Sequence, residues 1–141
     1  MKSSLDLWNI LHDGSVVETV GECPGTVSFK LEIAYLCNML AKGRSFLWVH
    51  LRDCTLAQFT PFDSVEPVAD FSGLTPPDLT ILSATEHEGR LSVVCVGGEL
   101  HLAYSDARLT LDGGAPLEYA ALERACETYW SEWERNNKRG V

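Results

Sequence analysis

Val27, Phe29, Leu31 and Ile33 alternate with Ser28, Lys30 and Glu32. A period of two sustained over seven residues predicts a strand with one dry and one wet face. The same period returns at Leu91, Val93 and Cys95, and again at Leu100, Leu102 and Tyr104. Ala107, Leu109 and Leu111 keep it in the opposite register, which places a bulge or tight turn at Ser105-Asp106. Val16, Val17 and Val20 suggest a first strand, closed by the turn residues Cys23-Pro24-Gly25. Residues 46–51 are apolar nearly throughout and read as a strand covered on both faces or as an edge strand under a helix. Arg52-Asp53-Cys54 then predicts a tight turn, with residues 56–62 as the hairpin partner. Residues 79–87 form another strand, turned at Glu88-Gly89, and Gly97-Gly98 predicts a two-residue hairpin turn that needs positive φ.

Helical spacing marks the ends of the chain. Leu7, Trp8 and Leu11 give a narrow apolar stripe over residues 5–11, stopped at His12-Asp13-Gly14 with Gly14 as the left-handed residue. Residues 34–40 suit a helical turn. Pro116 opens a long helix at a first-turn position, and Leu117, Ala121, Ala125, Tyr129 and Trp133 then recur every four residues. Leu122, Cys126 and Trp130 lie beside that stripe, while Glu118 and the terminal Arg135, Lys138 and Arg139 suit the helix dipole. Residues 61–78 contain Pro61, Pro67, Pro76 and Pro77 and read as a long loop, with one helical turn near residues 71–74.

The expected fold is therefore α+β, a single globular domain over residues 1–141. Seven to eight mostly antiparallel strands, in hairpins and a meander, form a sandwich or half-open barrel. A short N-terminal helix precedes them, and a long amphipathic C-terminal helix packs on the sheet.

Composition narrows the classes of partner. The formal charge is −9 over 141 residues, so neither nucleic acid nor an anionic membrane is an expected partner. Asp6 and Asn9 interrupt the apolar start, so no signal peptide is expected and the cytoplasm is the expected compartment. Five cysteines, at positions 23, 37, 54, 95 and 126, contain no CxxC pair. They read as reduced thiols, Cys95 and Cys126 as small buried hydrophobes, and no metal or other cofactor is expected.

Seven carboxylates and no lysine or arginine lie between Arg52 and Arg90: Asp53, Asp63, Glu66, Asp70, Asp78, Glu86 and Glu88. Hairpin ends account for several of them. The proline-broken stretch with Asp63, Glu66, Asp70 and Asp78 is the candidate surface for a basic protein partner. His12, Asp13, His50 and Trp130 are the alternative candidates, as a small-molecule pocket or patch between helix and sheet. His12-Asp13 also reads as an ordinary helix C-terminus, and Tyr129, Trp130 and Trp133 as core packing, with Trp130 off the main stripe. A homodimer through an exposed strand edge or Trp130 is a further expectation. No GxSxG, Cys-His or phosphate-loop signature is present, and the histidines lack metal-motif spacing, so the chain reads more as a binding protein than as an enzyme.

The segment Leu11-His12-Asp13-Gly14-Ser15-Val16, followed by the alternation of residues 27–33, resembles a pattern in small, mostly uncharacterised bacterial proteins. These begin with a His-Asp-(Ala/Gly)-x-(Ile/Val) element, and some are grouped with immunity proteins of polymorphic toxin systems. The resemblance covers about the first third of the chain. It implies a small acidic α+β protein that acts by binding another protein, without catalysis.

Overall fold

The computed structural model describes residues 4–41, 43, 45–68 and 76–139. The alternation at residues 27–33 becomes β2 (Gly25–Glu32), with Val27, Phe29 and Leu31 buried and Ser28 and Lys30 partly exposed. It pairs with β1 (Ser15–Gly21) on one side and β3 (Phe46–Cys54) on the other. With β8 (Asp106–Leu111) and β9 (Pro116–Leu117) these make a five-stranded sheet of order β1-β2-β3-β8-β9. A second sheet has the order β4-β7-β6-β5, from β4 (Leu56–Pro61), β5 (Ile81–His87), β6 (Arg90–Cys95) and β7 (Gly98–Ala103). All strand pairs are antiparallel.

The inner faces share one core. Leu47, Val49 and Leu51 meet Phe59, Val93, Leu100 and Leu102 there, each at most 1% exposed. Each such side chain stabilises the fold by roughly 1.5–3 kcal/mol.

The strand β3 is central, between β2 and β8, and residues 56–61 do not fold back on it as a hairpin. The ladder shows why. Arg52 pairs with Asp106, and Leu56 pairs with Ala103. Between them the Ser105 N–H donates to the Arg52 carbonyl at 3.0 Å, and the Thr55 N–H to the Ala103 carbonyl at 2.8 Å. So β3 runs on into β4 and β7 into β8 as one bent ribbon that leaves one sheet for the other. Asp53, at φ 51°, supplies the bulge, and the inward positions slip from Leu51 to Cys54. The register switch expected at Ser105-Asp106 is the other strand of this corner.

The helix α1 (Ser4–Ile10) lies against β5 and plugs the core with Trp8, which is fully buried and donates its indole N–H to the Tyr104 hydroxyl at 2.9 Å. The helix α2 (Ala34–Leu40) follows β2, and α3 (Tyr119–Arg139) packs on the sheet side, with Leu122 and Ala125 reaching the core. Its nearest helical neighbours are α2 and α1. Pro116 does not open this helix: it pairs with Thr110 in β9, an edge strand that tolerates a missing N–H. Among the described residues no helix is long and apolar enough to cross a membrane.

Two glycines differ from expectation. Asp13, not Gly14, takes the left-handed conformation, at φ 69°. Gly14 is needed for space, because a Cβ would lie 3.0 Å from the Leu11 carbonyl oxygen and 3.3 Å from Ile33. Likewise Gly97 does not adopt positive φ; a Cβ there would stand 2.6 Å from Asp78 Oδ1 and 2.9 Å from Asp78 Cα. That close approach seats the 3-10 turn Pro76–Leu79 against the β6–β7 hairpin, with the Gly97 N–H donating to the Asp78 carbonyl at 3.0 Å.

Candidate functional site

After β4 the chain turns outward. Pro61 is the last strand residue, the Phe62 N–H donates to the Gly97 carbonyl at 3.1 Å, and Ser64 closes an ST turn on the Glu66 N–H at 3.1 Å. The loop then returns to the open edge of β4, where Val68 and Phe59 exchange both backbone hydrogen bonds at 2.7 and 2.9 Å. This closure forces residues 62–66 away from the core. Phe62 is 63% exposed and Val65 94% exposed, and the acidic Asp63 and Glu66 stand exposed beside them.

Asp63 and Asp78, 15 residues apart in sequence, line one shallow groove of about 280 Å³ together with Phe62, Val96 and Gly97. Val96 is itself 53% exposed. Two of the four acidic residues expected at an interaction surface are thus brought together, and Glu66 lies on the same loop. Asp70 and the helical turn expected near residues 71–74 lie outside the described residues. The four strands of the adjoining sheet carry one cationic side chain, Arg90 at the start of β6. The exposed apolar side chains Phe62, Val65 and Val96 were not among the residues singled out from sequence. The only sequence signal for them is a Phe between Pro61 and Asp63 in a stretch that cannot be a strand.

His12 and Trp130 do meet. Their rings stack at 5.4 Å with 21° between planes, on one wall of a groove of about 370 Å³ between α1 and α3 that Glu123, Cys126 and Glu127 also line. Asn9 anchors His12 through its carbonyl, 2.8 Å from Nδ1. The Tyr35 hydroxyl donates to the His12 carbonyl at 3.1 Å. Tyr35 also packs on Tyr129 at 4.5 Å and edge-on to Trp130 at 6.0 Å. Burial holds the Tyr35 hydroxyl well above the usual phenol range. The aromatic row of α3 therefore braces α2 and the end of α1, and its last member, Trp133, is 51% exposed. Asp13 is exposed beside His12, with Oδ2 3.9 Å from Nε2, and does not line the groove.

His50 lies elsewhere, on the outer face of the five-stranded sheet. Ser28 Oγ is 2.7 Å from its Nδ1 and Thr110 Oγ1 3.0 Å from its Nε2. With both nitrogens engaged and the ring lying parallel to Trp48 at 6.1 Å, His50 is a cross-strand ladder residue, not a member of the α1–α3 groove. Among the described residues no three His, Cys, Asp or Glu side chains converge as a metal site. A scan of protein-family models and searches of curated proteins and of solved structures each found no match to this chain.

Proposed function

We propose that this protein is a binding module that recognises a basic protein partner through the loop after β4 and the groove beside it. The observation that carries the reading is the exposure of Phe62 and Val65, 63% and 94%, on one loop with the exposed carboxylates Asp63 and Glu66. Exposed apolar side chains rimmed by charge of one sign are the makeup of an interface: the apolar groups give affinity, the charges steer encounter. Lysine and arginine are absent from residues 53–89, so no nearby sequence charge offsets the acidic field. The resemblance of residues 11–16 and 27–33 to small, mostly uncharacterised bacterial proteins, some of them grouped with toxin immunity proteins, supports the same class of role. Capture from the native host by the wild-type chain and by a Phe62→Ser/Asp63→Lys/Glu66→Lys variant tests this. A basic protein whose association slows in the variant and with added salt is the expected result. Equal capture and equal association rates by both would reject it.

A second reading rests on the stacked His12–Trp130 pair with Glu123 and Glu127 around it. An indole face beside carboxylates suits a small organic cation. Titration of Trp fluorescence with arginine or a polyamine, in wild type and Trp130→Phe, tests it; no saturable change in the wild type would remove this reading.

A further inference from the structure

Cys23 and Cys54 stand 31 residues apart in sequence and meet in space. Cys23 is exposed in the turn between β1 and β2, and Cys54 is fully buried at the corner of the bent ribbon. Cys23 Sγ lies 3.5 Å from the Cys54 carbonyl oxygen. Cys54 Sγ also sits 3.2 Å from the Leu56 carbonyl. Register explains the meeting: Gly25, two residues after Cys23, is the ladder partner of Cys54 across the β2–β3 bulge. Burial, and then the neighbouring Cys23, push the Cys54 thiol up to about 11, so it stays protonated and shielded. The other thiols lack this arrangement. Cys37 and Cys95 are fully buried, and Cys126 is half-buried in the α1–α3 groove beside Trp130.

We infer that Cys23 and Cys54 form an oxidant-responsive pair, in which exposed Cys23 is attacked by hydroperoxide and buried Cys54 resolves it to an internal disulfide. The Cys23 sulfur, as thiolate, attacks one peroxide oxygen and the O–O bond breaks. Hydroxide leaves and takes up the proton released by Cys23, giving water and a sulfenic acid. The Cys54 sulfur then attacks the Cys23 sulfur: an S–S bond forms, the S–O bond breaks, and a second water leaves with the Cys54 proton. Two thiols are oxidised by two electrons in all, and one hydrogen peroxide is reduced to two waters. The product ties the β1–β2 turn to the corner where the chain passes between sheets.

The full-length chain, treated with graded hydrogen peroxide and blocked with N-ethylmaleimide in denaturant, is mapped by mass spectrometry without reductant. The expected result is a Cys23–Cys54 cross-linked peptide that precedes any other link and reverts with dithiothreitol. Its melting temperature should rise by roughly 5–10 °C, as loop closure implies. Cys23→Ser, an exposed substitution, should lose both the link and the rise. Cys54→Ala should accumulate a dimedone-reactive Cys23 instead. Oxidation of wild-type Cys23 to sulfinic acid without the link, a different pair linking first, or no reaction at Cys23 would each overturn the inference.

Discussion

The side-chain amide of Asn9 does for Ala84 what a neighbouring strand would do. The Ala84 N–H donates to Asn9 Oδ1 at 3.0 Å, and Asn9 Nδ2 donates to the Ala84 carbonyl at 3.5 Å. Ala84 is midway along β5, the outer strand of its sheet. Backbone groups on such an edge are a template for pairing with another chain, and here a residue of α1 occupies them. The start of β5 is covered in the same way, by Asp13 and Gly14 bonding Ile81 at 2.7 and 2.8 Å.

Replacing Asn9 with Ala should uncover that edge. The expected cost is about 1–2 kcal/mol in urea denaturation. A concentration-dependent increase in mass by light scattering should accompany it, since β5 then offers free donors and acceptors. Stability loss with an unchanged monomeric mass would show that Asn9 only anchors the helix.

The turn Glu88–Gly89 has both residues at positive φ, 50° and 78°. This is the hairpin turn that matches strand twist, and a Glu side chain is strained in it. Glu88→Asn or Glu88→Gly should stabilise the protein by about 0.5–1 kcal/mol, read as a higher thermal midpoint. Gly89→Ala should act in the opposite direction.

Gly97→Ala would place a Cβ 2.6 Å from Asp78 Oδ1 and 2.9 Å from the Asp78 Cα, so the backbone itself would have to shift. A loss of roughly 1–3 kcal/mol is expected. The same variant should weaken partner capture, because Gly97 lines the groove with Asp78 and Val96 and a Cβ there would displace Asp78. Unaltered capture would separate the groove from the exposed loop.

Burial pushes the Cys95 thiol up to about 12 and the Cys37 thiol up to about 11, from an ordinary 9.0. The folded chain therefore keeps protons that the unfolded chain releases. Stability from these neutral thiols is full below pH 9 and is lost as pH rises toward 11 and then 12. Urea midpoints should fall between about pH 7.5 and about pH 10.5, and Cys95→Val should show a smaller fall.

Local period carried much of the architecture. The residues that alternate in sequence at 27–33, 91–95 and 100–102 are buried on one face, because a strand's pleat needs only its own residues to declare itself. Pairing did not show in the same way. Nothing near Asp53 distinguishes a hairpin turn from a bulge in a ribbon that continues into another sheet, since the deciding partner, residues 103–106, lies fifty positions away. The reading of Pro116 as a helix start fails for a physical reason: a missing N–H is tolerated equally there and on an edge strand, where Pro116 in fact lies. The aromatic stripe of α3 fixed the helix but not its reach, and Trp133 extends past the layers that bury Leu122 and Ala125. The acidic loop was legible as composition. Its apolar companions, and the meeting of Cys23 with Cys54, exist only once the chain is folded.

The ribbon shared by the two sheets has a consequence for how the molecule opens. Amide hydrogens of β2 and of β6 belong to different sheets, yet neither ladder can fray past the corner without parting Arg52 from Ser105 and Thr55 from Ala103. Opening of one sheet without the other is then expected to be suppressed, so that the slowest amides of both sheets exchange with one common free energy. Residues 131–136 of α3, all exposed, lie outside this bracing and have the least to lose by opening first.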